Sequence, residues 1–189
     1  MQALKCKVFQ PTKVYKNIIC QYFLGWRHLV YIGTEEYQIT DERVTLATIA
    51  NLGNQWKIIH EFKPTEYQQV DPLLGRCPLM DPLSILVHGQ DKSVTKAYST
   101  CFPPATMVFK HMGISMATEL PKVGNWTRIE ITQENGADGR LYLSLSVGRN
   151  LIGREWIEHA SDYTEVKIYA GDQFSQPGSI RRLVVLQKS

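Results

Sequence analysis

The amino-acid sequence predicts an all-β protein, a two-sheet antiparallel β-sandwich or jelly roll with little helix. Three observations carry this. The strongest periodic segments alternate with period two, Pro, Gly and Asp/Asn turns separate about ten such segments, and none shows the 3.6 period of an amphipathic helix. The chain has 189 residues, enough for one large sandwich, and its 43% hydrophobic and 21% charged content suits a packed core rather than disorder.

Taken in order, Val14–Phe23 and Arg27–Ile32 read as two strands around Gly25, within an amino-terminal extension over residues 1–40 that packs on a sandwich domain over 41–189. Arg43–Ala50, Gln55–Phe62, Ser84–His88, Thr106–Phe109 and Gly113–Thr118 are short strand candidates. Residues 64–83, with four prolines, and residues 89–105 read as two long irregular loops, and ordered loops of that length are commonly functional. In Trp126–Thr132 the side chains of Thr127, Ile129 and Ile131 share one face, opposite Arg128 and Glu130, as in a half-buried strand. Asn135-Gly136 and Asp138-Gly139 supply turn chemistry that tolerates positive φ. Leu141–Val147 follows with its leucines on one face and Tyr142, Ser144 and Ser146 on the other, completing a hairpin. Leu151–Trp156, Val166–Ala170 and Ser179–Leu186 continue the β pattern to the end.

The net charge is +3, and the excess sits in residues 1–40, where Lys5, Lys7, Lys13, Lys16 and Arg27 face Glu35 and Glu36. Nucleic-acid binding usually shows a denser basic face interleaved with aromatics, so nucleic acid is not an expected partner. No apolar run approaches the ~18 residues that cross a bilayer, so no membrane span is expected, and residues 1–7 lack the apolar core of a secretory leader. Cys6, Cys20, Cys77 and Cys101 include no Cys-x-x-Cys pair and no zinc-finger spacing with His. Two disulfides fit that count. Of three connectivities, Cys6–Cys20 with Cys77–Cys101 closes a short loop each time, and four reduced buried thiols of a cytosolic protein are the alternative.

Gly124-Asn-Trp-Thr-Arg-Ile-Glu-Ile131, with the strand Arg140–Asn150 after it, resembles the Gly-x-Trp strand and its successor in laminin-G-like, concanavalin A-like sandwich domains of animal extracellular proteins. The block Tyr163–Val184, with its Gly-x-Ile-x-x-Leu ending at Leu183, is similar to the close of such domains, and Val44–Pro64 to their first strands. The resemblance covers residues 41–188. It implies a jelly roll used for adhesion, glycan binding or receptor contacts, with calcium held at one rim by Asp side chains in some members.

No catalytic motif is present. The sequence has no Gly-x-Ser-x-Gly elbow, phosphate loop or dinucleotide fingerprint, and no enzyme is expected. Glu155 and Glu158 are the nearest carboxylate pair, but their spacing on a strand puts them on opposite faces, unlike the facing acids of a glycoside hydrolase. The five histidines, His28, His60, His88, His111 and His159, are scattered and read as surface or strand-end residues. Asp81, His88, Asp91 and Asp172 fall in or beside loops that a jelly roll could gather at one rim, where oxygen ligands suit calcium or sugar hydroxyls; solvated loop carboxylates are the plainer reading. Trp26, Trp56, Trp126 and Trp156 stand near strand ends, where an aromatic ring could stack on a sugar. Core packing is the commoner use of such residues, and Trp126, which opens its strand, reads as structural. Asn125-Trp126-Thr127 is an N-glycosylation sequon, which fits an exposed position in a secreted protein. The expected function is extracellular recognition of a glycan or partner protein through rim loops or a sheet face. A structural or self-association domain comes second and a carbohydrate-active enzyme third.

Overall fold

A computed structural model of the chain describes residues 25–39, 44–66, 83–88, 94–100, 106–111, 114–119, 121–158, 163–170 and 177–189. Every regular element among them is a strand: β1 (Trp26–Tyr31), β2 (Tyr37–Ile39), β3 (Val44–Leu52), β4 (Trp56–Pro64), β5 (Leu83–His88), β6 (Val94–Thr100), β7 (Thr106–His111), β8 (Ile114–Glu119), β9 (Thr127–Asn135), β10 (Leu141–Val147), β11 (Asn150–Ile157), β12 (Tyr163–Ala170) and β13 (Gly178–Lys188). They form two antiparallel sheets. One runs β1-β13-β4-β9-β10-β11, with β2 also on β13, and the other runs β3-β12-β5-β6-β7-β8. The chain is an antiparallel β-sandwich of the jelly-roll class.

Period-two sequence makes the core. Along β4 every second side chain is buried, from Trp56 through Ile58, His60 and Phe62 to Pro64, while Lys57, Ile59, Glu61 and Lys63 face outward. Ile129, Ile131, Leu143, Leu145, Ile180, Leu183 and Val185 extend that inner face, and Ile49, Leu52, Val166, Ile168 and Ala170 meet them from the other sheet. Each fully buried branched side chain contributes roughly 1.5–3 kcal/mol, so this double layer is the main source of stability. The leucines of β10 are inside, as its alternation predicts, with Leu143 0% and Leu145 1% exposed.

β13 organises the edge of the larger sheet. Its carboxy-terminal half pairs with β1 and its first residues with β2, and the connection between them is held by Ile32 N–H on the Leu183 carbonyl (2.7 Å) and Arg182 N–H on the Gly33 carbonyl (2.8 Å). Opposite β4, Arg181 faces Glu61 and Val184 faces Ile59, so β13 carries one extra residue there. Arg182 sits in this bulge at φ 54°, a region that residues other than glycine seldom enter.

One expectation is corrected. Residues 94–100, read as part of a loop over 89–105, form β6, whose backbone pairs with β5 and β7. Val94-Thr-Lys-Ala-Tyr-Ser-Thr100 has no apolar alternation, so sheet pairing alone makes it a strand. β2 is too short for any periodicity to show. Val14–Phe23, most of the 64–83 loop and all four cysteines, Cys6, Cys20, Cys77 and Cys101, lie outside the described residues.

Candidate functional site

The β9–β10 hairpin shapes the first part of the site. Gly139 takes φ 77° in the turn, where Gly136 N–H donates to the Arg140 carbonyl (2.7 Å) and Gly139 N–H to the Gly136 carbonyl (3.0 Å). That turn presents the Asp138 carboxylate to Arg140 N–H (3.1 Å) and to the Tyr142 hydroxyl, which donates to it at 2.7 Å. The Tyr142 bond, with the local N–H donors and the Arg140 charge, holds Asp138 below the usual carboxylate range, and the same bond raises the phenol of Tyr142. Tyr142 pairs directly with Trp156 on β11, and the Arg154 guanidinium lies 4.1 Å from the tyrosine ring centre. Beside them is a hollow of about 440 Å³ lined by Asn135, Gly139, Arg140, Leu141, Trp156, Ile157 and Glu158. Trp156 is 52% exposed at its wall.

The site continues across the outer face of the larger sheet. Trp26 lies opposite Lys188 on the far edge strand, in the same cross-strand row as Glu134, Tyr142 and Trp156. Five strand steps, about 24 Å, separate the two tryptophans. Trp126 is half-buried on this face too, with the Arg181 guanidinium 3.9 Å and the Lys63 ammonium 4.6 Å from its ring centre. Of the four tryptophans only Trp56, 2% exposed, is a core residue. The expectation that core packing claims most of them is therefore corrected: three stand on one outer face, and Trp126 there is clamped by two cations. That gathering depends on the register of strands far apart in sequence.

Two carboxylates on the face each hold two cations. Glu61 accepts from Arg181 Nε (2.7 Å) and Arg182 Nη1 (2.9 Å), and Glu130 from Lys57 Nζ (2.9 Å) and Arg128 Nη2 (2.7 Å). Lys63 reaches Glu36 at 3.3 Å. Burial pushes the carboxyls of Glu61 and Glu130 up, but the hydrogen bonds and charges of their paired cations outweigh it and hold both below the usual range.

Two polar side chains face inward. Gln133, fully buried, donates Nε2 to the Asn54 carbonyl at 2.8 Å, while its Oε1 has no hydrogen-bond partner. His60 is 1% exposed among aliphatic side chains, neither ring nitrogen is hydrogen-bonded, and burial lowers its pKa to about 4. It is a core histidine, not the surface or strand-end residue that its sequence position suggests.

Of the rim residues proposed from sequence, Asp81, Asp91 and Asp172 lie outside the described residues, as does the side chain of His88, whose backbone pairs with Thr164. Among the described residues no group of three His, Cys, Asp or Glu side chains could hold a metal. Asn125 is exposed. Glu158 lines the hollow with Trp156, while Glu155 alternates to the other face of β11.

No family model matches the chain, and no curated protein sequence matches it. Solved structures are similar in fold. An endo-β-1,4-glucuronan lyase from the fungus Trichoderma reesei shares 11% identity at a TM-score of 0.50, over 80% of this chain and 79% of that one. A heptameric SAP-like pentraxin from Limulus polyphemus shares 11% at 0.49, over 82% and 73%, and the Emp47p carbohydrate recognition domain 10% at 0.44, over 88% and 90%. At such identities the likeness is one of fold.

Proposed function

We propose that this chain is a non-catalytic extracellular recognition module that binds a glycan through the outer face of its larger sheet. The observation that carries the reading is Trp156, an exposed indole on the wall of a hollow that also offers the amide of Asn135, the guanidinium of Arg140 and the carboxylate of Glu158. An indole face covers the apolar face of a pyranose, and those polar groups meet its hydroxyls. The laminin-G-like motifs agree with such a module, and the exposed sequon at Asn125 agrees with secretion.

The paired carboxylates of the face are not set up as general acids. Glu61, Glu130 and Asp138 are all held below the ordinary carboxylate range, so none is poised to donate a proton near neutral pH.

The test is a glycan array probed with the chain made in an oxidising host, with calcium and again with chelator. Selective binding that Trp156→Ala abolishes, with the fold intact by circular dichroism, is the expected result, and chelator sensitivity decides the place of calcium. A blank array would sink the reading. One feature favours a second: Leu151, 62% exposed, accompanies Trp156 on the edge strand β11, a surface that could pair copies of the chain. Sedimentation over a concentration series distinguishes it.

A further inference from the structure

We propose that the Arg181–Arg182 bulge is an anion-recognition site for the sulfate or carboxylate groups of an acidic polysaccharide, an inference that rests on the glycan reading above. Consecutive residues of a regular strand point to opposite faces, so two adjacent arginines in β13 should be split, one of them toward the core. The extra residue between Arg181 and Val184 prevents this. Both guanidinia reach Glu61, Leu183 still fills the core at 0% exposure, and Arg182 holds φ 54°. Glycine would occupy that backbone region without strain. An arginine in its place is a local cost of the kind that collects at functional sites.

The charge arithmetic at the bulge favours an anion. Glu61 carries one negative charge against Arg181 and Arg182, and Arg128 stands across from it on β9. The neighbouring carboxylate, Glu130, is likewise shared by two cations, Lys57 and Arg128. Glu61 therefore orients the arginines without neutralising them. Arg181 is stacked on Trp126, whereas Arg182 is 53% exposed and gives Glu61 one of its five N–H donors, leaving others for solvent or ligand. A planar guanidinium fixed at one end is suited to paired hydrogen bonds with a sulfate or carboxylate. A polysaccharide, whose anions can meet single arginines, fits better than nucleic acid, because Glu61, Glu130 and Glu36 separate the cations and leave no continuous positive track for a phosphate backbone bearing one charge per about 1.7 Å of duplex.

The test compares dextran sulfate with neutral dextran, the same backbone with and without anions, on the wild-type chain, Arg182→Gly and Lys167→Ala. Arg182→Gly removes the guanidinium while suiting the bulge, so the fold persists. Lys167→Ala removes an equal charge from β12 in the other sheet. The expected result is binding of dextran sulfate over dextran, weakened about tenfold by Arg182→Gly and unchanged by Lys167→Ala. Equal losses in the two variants would reduce the effect to net charge and overturn the site. Equal binding of both polymers overturns the anion site and leaves the glycan reading standing. Binding of neither overturns the site, and the glycan array then judges the underlying reading separately. Duplex DNA bound as tightly as dextran sulfate, and released by the same variant, overturns the choice of polysaccharide.

Discussion

Trp156 and Tyr142 stand directly opposite one another on β11 and β10, and the tyrosine is fixed by its hydroxyl on Asp138 at 2.7 Å. The turn, the tyrosine and the exposed indole are thus one mechanical unit. Asp138→Asn weakens the hydrogen bond that chiefly raises the Tyr142 phenol and removes the charge that adds to it, so its ionisation should fall back toward the ordinary value. A tyrosine-labelled NMR titration reads this, with Tyr142→Phe identifying the signal. An unmoved titration would mean that the bond is not populated in solution.

The tryptophans separate binding from stability. Trp56→Ala empties a 2%-exposed core position and should cost about 3–5 kcal/mol. Trp156→Ala should stay within about 0.5 kcal/mol of the wild type, because its indole is half in solvent. Denaturant unfolding checks both. A Trp156→Ala loss as large as that at Trp56 would show that the indole packs rather than binds.

His60 should make the domain sensitive to acid. In the unfolded chain its imidazole protonates near its ordinary value of 6.5, and in the core only at about 4. Between those values the unfolded chain binds a proton that the folded chain does not, so stability is complete above about pH 6.5 and declines as the pH falls. The loss by pH 4 is on the order of 3 kcal/mol. His60→Leu removes this dependence and an imidazole with no hydrogen-bond partner, so it should be the more stable protein, by a margin that widens from pH 6.5 to 4. Parallel stability curves for the two proteins across that window would contradict the assignment.

The sheet was more legible than the site. β9, β10 and the turn between them follow from alternation and from Asn-Gly and Asp-Gly steps, because local sequence dictates a half-buried hairpin. β6 was not legible, since its residues show no apolar face and its pairing with β5 and β7 is non-local. The three tryptophans of the outer face come from β1, β11 and the residue just before β9, so only the cross-strand register brings them to one surface. The Arg182 bulge gives no signal of its own, because the residue in the left-handed region is not a glycine.

Two glycines should fail for different reasons. At Gly178 a Cβ would meet the Lys63 carbonyl oxygen at 2.7 Å and the Phe62 ring at 2.8 Å, where β13 is hydrogen-bonded to β4. The oxygen belongs to the backbone of a central strand and cannot yield without breaking the ladder, so Gly178→Ala should cost about 1–3 kcal/mol. At Gly139 nothing lies within 4 Å of a Cβ, but φ is 77°, and alanine there bears only the left-handed penalty of roughly 1–2 kcal/mol. Asn, which tolerates that conformation, should restore most of the loss at 139 and none at 178. Urea midpoints at an unchanged slope report this; equal rescue at both positions would mean that the close approach at Gly178 relaxes in solution.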